Sequence, residues 1–174
     1  MSNKKNHPVW EVYDFHRTCR LSKKYWSTKF IRLRRVNFWL EYSLLATAPS
    51  SAIAGLVFWS TTYGKIAWSI LATITAALAV AKPLLKFSEK LEKLKEIVTQ
   101  YRSVEFQLGA LGNDIRRQDE YSSAMVNTYK NLVNQVHDIT NQEPIERIDK
   151  DLQNSCYNEV NQELPITFFH EPTK

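Results

Sequence analysis

Histidines and cysteines are the residues of this 174-residue chain best suited to metal binding or nucleophilic chemistry. They are His7, His16, Cys19, His137, Cys156 and His170. None of them stands at metal-ligand spacing from another, and two isolated cysteines suit a reducing compartment. The chain also lacks a glycine-rich phosphate loop, a nucleophile elbow and a paired-carboxylate motif. We therefore predict no catalytic residue, no metal site and no cofactor.

Lys130 and His137 form the one pair that could be compared with a ribonuclease site. HEPN ribonucleases place an arginine a few residues before a histidine, which serves as the base. Here a lysine takes the arginine's place, and it can hold a phosphate as a point charge but lacks the bidentate fork. Such a pair arises often by chance on a polar helix. A divergent HEPN-like ribonuclease is therefore only a weak alternative function.

Two apolar stretches dominate the middle of the chain. The first runs from Tyr42 to about Thr62 and is long enough to cross a hydrocarbon core of ~30 Å at ~1.5 Å per residue. The second runs from Ile66 to Ala81 and is short, but it spans the core if it extends to Leu85 and Lys82 snorkels to the headgroups. Because only Tyr63-Gly64-Lys65 separates them, the sequence predicts a transmembrane helical hairpin over residues 38–85. A buried hairpin of a soluble bundle is disfavoured, since the stretches lack the polar stripe of a surface helix.

Flanking charges indicate the orientation of this hairpin. Residues 1–43 hold ten Lys or Arg against three acids. The basic residues that we assign to the membrane surface are Lys23, Lys24, Lys29, Arg32, Arg34 and Arg35. More lysines follow the second stretch, whereas the turn carries only Lys65, so the positive-inside rule predicts a multi-pass protein with both termini in the cytoplasm.

The first stretch carries more hydroxyl groups than a lipid-facing helix needs. We hypothesise that one face lines a pore; its residues are Ser43, Thr47, Ser50 and Ser51, with Glu41 at the cytoplasmic mouth. Two helices cannot enclose a pore, so this hypothesis requires a homo-oligomer. Close packing of the two helices within one hairpin would explain the same small and polar residues.

Outside the hairpin, the chain divides into three predicted segments. Residues 1–37 mix basic and aromatic side chains, which favours an amphipathic arm on anionic headgroups over a nucleic-acid-binding segment. Residues 86–164 predict a cytoplasmic helical domain with further helices over 118–140 and from Pro144. Residues 165–174 predict an extended tail. The fold class is therefore all-α.

A heptad seam begins the cytoplasmic segment. It consists of Leu91, Leu94, Val98 and Tyr101, separated by charged residues. The seam must be covered by the chain's own later helices or by further copies. The narrow apolar stripes of the later helices favour copies, so we predict oligomerisation through the seam, and charge insertion at Leu94 should then dissociate the oligomer.

The layout resembles a known family. The segments "LSKKYWSTKFIRLRR" and "LLKFSEKLEKLKEIVTQYR" flank the two-span hairpin in the manner of SLATT-type effectors of bacterial defence loci, and the plan is similar to that of the membrane accessory proteins of type VI-B CRISPR systems. The resemblance covers most of residues 10–115. It implies an inner-membrane pore in antiphage defence, acting beside a CRISPR effector ribonuclease or its RNA products. A non-conducting membrane anchor or scaffold for a soluble partner is the alternative.

Overall fold

The computed structural model describes the backbone of residues 7–58 and 62–173, and the side chains of these residues apart from 46–58, 68, 71 and 81–85. The described chain is all-helical and contains no strand, which confirms the predicted class. Its helices are α1 (Val9–Phe58), α2 (Thr62–Leu85), α3 (Phe87–Gln118), α4 (Ser123–Gln142) and α5 (Lys150–Glu163), followed by a 3-10 turn at Ile166–Phe168.

The chain forms two compact units. One, which we name the bundle unit, joins Met1–Thr28 to Leu94–Lys174; the other, the middle unit, is Lys29–Lys93. This division differs from the predicted segments, which ended at residues 37, 85 and 164. It differs because the start of α1 packs with the helices that follow residue 93 and does not form a separate arm.

Two glycines of α3 show how this helix pairs with α1 in the bundle unit. A Cβ added at Gly109 would lie 3.8 Å from the imidazole of His16, and one added at Gly112 would lie 3.7 Å from the ring of Tyr13. As the residue number rises on one helix it falls on the other, so α1 and α3 run antiparallel. Large side chains of α1 therefore rest on the surface of α3 at both positions.

The other two helices complete a four-helix arrangement around α1. Trp26 donates from Nε1 to Glu143 Oε1 at 2.6 Å near the end of α4, and Phe15 meets Tyr129 edge to face earlier on both helices, so α4 runs parallel to α1. Lys24 bonds Glu159 on α5 at 2.7 Å. Side-chain caps begin both helices: Ser122 accepts from Met125 N, and Asp149 accepts from Leu152 N.

The core of the bundle unit draws on all four helices. Its almost fully buried side chains include Val9, Val12, Cys19, Ile97, Val104, Leu108, Ile115 and Leu132. Three of these come from α1, within the segment predicted to rest on headgroups. Its apolar residues pack inside the protein because three helices of the same chain cover them, and this burial supplies the hydrophobic stabilisation that the unit needs.

In the middle unit, the predicted turn lies elsewhere. Tyr63, Gly64 and Lys65 belong to the first turn of α2, which begins at Thr62, and the link between α1 and α2 falls on residues 59–61, outside the described ones. Gly64 has a negative φ, so it does not serve as a reversal. The described break is Lys86 between α2 and α3, whose φ of 47° is left-handed.

The C-terminal tail is not simply extended, because it packs on its own bundle unit. The ring of Phe169 stacks on Tyr13 with centroids 4.4 Å apart. His170 Nε2 lies 2.7 Å from Asp119 Oδ1, and Tyr13 donates to the His170 carbonyl at 2.6 Å. The aromatic and polar contacts together close the end of the bundle unit where α1 begins.

Candidate functional site

α2 is the described helix that is long and apolar enough to cross a membrane. The stretch Thr62–Val80 has 19 residues, and 6% of it is buried within the protein. Large apolar side chains along it stay more than half exposed, among them Ile66, Ile70 and Val80. A core helix of a soluble protein would be covered by its neighbours, whereas the described part of this chain leaves most of α2 uncovered.

In the other predicted span, the structure describes side chains only as far as residue 45. Phe38, Trp39, Tyr42 and Leu45 are all more than half exposed on α1, and the three aromatic rings contact one another. The backbone continues as helix to Phe58. Clustered exposed aromatics at the start of an apolar segment are typical of a membrane interface.

The predicted pore-lining residues are placed in part. Glu41 accepts a hydrogen bond from Asn37 Nδ2 at 3.2 Å, and Ser43 donates to the Trp39 carbonyl at 2.8 Å. Both are contacts along one helix turn, which satisfy a polar side chain without a neighbouring helix. Thr47, Ser50 and Ser51 belong to α1, and their side chains lie outside the described residues.

Two of the basic residues assigned to the membrane surface are engaged inside the bundle unit. Lys23 pairs with Glu105, and Lys24 pairs with Glu159 and Glu163 at 2.7 Å each. The structure therefore gives these two lysines a different role, that of joining α1 to α3 and α5. The other four, Lys29, Arg32, Arg34 and Arg35, lie on α1 in the middle unit.

The predicted seam is divided between the core and the surface. Leu94 and Tyr101 are 8% and 2% exposed inside the bundle unit of a single chain, while Leu91 and Val98 are half-buried. Tyr101 also donates to Glu143 at 2.8 Å. Intramolecular helices thus cover half of the seam, and a charge at Leu94 would disrupt the fold of the unit whether or not copies assemble.

A network of charges surrounds Glu105 between α1 and α3. The Glu105 side chain is 11% exposed. One carboxylate oxygen lies 3.2 Å from the Arg20 guanidinium, and the other pairs with the Lys23 ammonium. Arg20 turns its remaining nitrogens to Glu163 on α5, at 2.6 and 2.8 Å. A carboxylate this enclosed requires such partners, because desolvation without them is costly.

His16 adjoins this network. Burial lowers its pKa below the ordinary value of 6.5; the Glu105 carboxylate opposes this change, and Arg20 and Lys23 reinforce it. A histidine whose pKa falls on folding binds its proton more readily in the unfolded chain. Its contribution to stability is therefore full above the unfolded pKa and decreases as pH falls below it.

We expect the His16→Gln variant to show this effect. Between about pH 7.5 and pH 5.5 the free energy of unfolding should fall less steeply in His16→Gln than in the natural chain. Urea titrations at several pH values measure it. His137→Gln, at an exposed position of α4, is the control and should keep the natural slope. Identical slopes for the natural chain and His16→Gln would contradict the assignment.

The histidines, cysteines and Lys130 that the sequence offers for chemistry do not form one common site. Lys130 and His137 are both exposed on α4, and Lys130 borders a small cleft with Glu11 and Tyr129. Cys19 and Cys156 are buried free thiols, and burial raises the pKa of Cys19 to about 12. A thiol with so high a pKa is a poor nucleophile.

A cleft that sequence reasoning missed lies in the bundle unit. It has a volume of about 690 Å³ and is lined from α1 by His16, Arg20 and Lys23 and from α3 by residues between Thr99 and Asn113. Two signals point to it: the helical spacing of the three α1 residues, and Glu105 intruding on the apolar face of α3.

Comparison with known proteins returned no similarity. No protein family matches the chain, and no curated protein or solved structure is detectably similar to it.

Proposed function

We propose that this chain is the subunit of a homo-oligomeric pore in the bacterial inner membrane, permeabilising or depolarising that membrane in antiphage defence. Both termini would lie in the cytoplasm, and the two spans would run from Tyr42 to about Thr62 and from Ile66 to Leu85. The bacterial membrane, the role in antiphage defence and action beside an RNA-guided CRISPR ribonuclease are the parts of the proposal that rest on the family resemblance alone.

The observation that carries the proposal is the exposed apolar surface of α2. Only 6% of its 19-residue candidate span is buried, so the chain by itself does not cover it. Lipid is the apolar medium that a helix of this length matches. Exposed Phe38, Trp39 and Tyr42 on α1 support a second crossing, because such rings favour the headgroup region.

Polar groups near the first crossing support a pore over a plain anchor. Glu41 and Ser43 lie beside the exposed aromatic cluster at the start of the predicted span, where acidic and hydroxyl side chains of membrane proteins often mark an ion pathway. In a ring of copies, the Glu41 carboxylates would surround the opening and favour cations. A membrane anchor for a soluble partner is the alternative, favoured by a bundle unit that has its own core.

Conduction by reconstituted protein tests the proposal. Liposomes carrying the full chain should release a small entrapped dye, and planar bilayers should show a cation preference that Glu41→Gln lowers by about threefold or more, since the charge at the mouth is removed. Glu89→Gln is the matched control, because this carboxylate is exposed and pairs with Lys86 at 3.3 Å. It should leave the preference unchanged.

Two outcomes would overturn the proposal. Full-length protein that stays monodisperse in buffer without detergent would remove the membrane from it. Protein that inserts into liposomes, as shown by flotation, but passes neither dye nor ions would instead identify a non-conducting anchor.

A further inference from the structure

The cleft between α1 and α3 lies entirely within the bundle unit. Its size, about 690 Å³, is in the range of sites that hold small molecules. His16 forms part of its lining and lies against Gly109 of α3. The lining combines apolar surface, including Phe106 and Ala110, with cationic side chains from both helices.

Positive charge is in excess around the cleft. Arg20, Lys23 and Arg102 line it, against the single carboxylate of Glu105. Glu105 engages Arg20 and Lys23 but not Arg102. Arg102 is exposed and makes no hydrogen bond or ion pair with the described part of the chain, so its planar fork is available for an anion with several oxygens.

An aromatic ring stands one helix turn beyond Arg102. Phe106 lines the same cleft, is 78% exposed and contacts no other aromatic ring among the described residues. The apolar face of an exposed ring gains by covering a flat partner, and nucleobases stack on such rings. Asn113, two turns further along α3, adds an amide with donors and an acceptor that no described side chain occupies.

These groups together select a ligand with both a phosphate and a flat heteroaromatic ring. We propose that the cleft binds a mononucleotide, with its phosphate on Arg102 and its base on Phe106. A simple anion would make no use of the ring, and an apolar ligand would leave the cations desolvated. The inference concerns the bundle unit alone and does not depend on whether the chain conducts ions.

Isothermal titration of the full chain in detergent tests the proposal. The probes are the four common ribonucleoside 5′-monophosphates and triphosphates, with adenosine and inorganic tripolyphosphate as half-ligands. At least one nucleotide should bind. Adenosine and tripolyphosphate should each bind at least tenfold more weakly than the nucleotide that binds most tightly. Arg102→Gln and Phe106→Ala should each weaken that nucleotide by about tenfold or more, because a charge-assisted contact or a stacked base is lost.

Matched variants away from the cleft serve as controls. Arg117→Gln removes an exposed arginine of α3, and Phe168→Ala removes a ring that is 58% exposed in the tail; both should bind like the natural chain. No binding by any of the eight nucleotides overturns the proposal. So does nucleotide binding that neither cleft variant weakens, and so does binding of a uridine 20-mer RNA without any mononucleotide. Circular dichroism checks that each variant keeps its helices.

Discussion

Leu108→Ala is expected to lower the free energy of unfolding of the bundle unit by about 3 kcal/mol. Leu108 lies in the middle of α3 and is 1% exposed. Truncation removes buried methyl groups and leaves a cavity that the surrounding side chains fill only in part. Urea unfolding of the purified chain, followed by tryptophan fluorescence, measures the loss, since Trp26 is 6% exposed within the same unit.

Phe106→Ala is the matched control for this experiment. It removes a larger apolar side chain two residues away on the same helix, but one that is 78% exposed. The free energy of unfolding should therefore change by less than about 1 kcal/mol. Equal losses for the two variants would show that this face of α3 is covered in solution and would contradict the described core.

The apolar periodicity of α3 predicted the helix and part of its buried face. Leu94 and Tyr101 belong to the predicted seam, and Leu108, Leu111 and Ile115 continue the same face; all five are buried. Periodicity does not reveal which surface covers a stripe, because any apolar partner satisfies it equally. The prediction of partner copies therefore missed that Leu94 and Tyr101 are buried within a single chain, where Tyr101 donates to Glu143 at the end of α4.

The first third of α1 shows a second limit of sequence reasoning. Long basic side chains place apolar stems along a core and charged ends at its rim, so a helix packed against partners has the composition of a membrane-surface helix. The sequence around Lys24 fits a lysine that binds lipid headgroups equally well, whereas the structure pairs it with Glu159 and Glu163 of α5. Those acids follow more than 130 residues later, and no local pattern links them to α1.

Local sequence signals placed the helix ends less accurately than the helices themselves. Asp149 begins α5 by accepting from Leu152 N at 3.0 Å, six residues after Glu143. The predicted start at Pro144 was too early, because a proline suits the first helical turn but does not supply a capping oxygen. The turn predicted at Gly64 failed for a related reason: glycine permits a reversal without requiring one.

The charge network gives the second large prediction. Glu105→Ala is expected to cost about 2–3 kcal/mol of unfolding free energy, because it leaves Arg20 and Lys23 facing each other without their shared anion. The carboxylate is 11% exposed, whereas the two cations are 28% and 25% exposed. The cations therefore reach some water, which holds the cost below that of breaking a fully buried pair.

Two further variants separate the charge from its shape. Glu105→Gln keeps the volume and an oxygen acceptor but removes the charge, so its cost should fall between those of Glu105→Ala and the natural chain. Glu159→Ala removes a carboxylate that is 55% exposed and pairs with Lys24; it should cost less than about 1 kcal/mol of unfolding free energy.

Urea unfolding at low and high salt completes the measurement. Salt should weaken the Glu159 contribution more than that of Glu105, because enclosed pairs are screened less. A Glu105→Ala variant as stable as Glu159→Ala would mean that the two cations find other partners or water, and that the network does not hold α1 against α3.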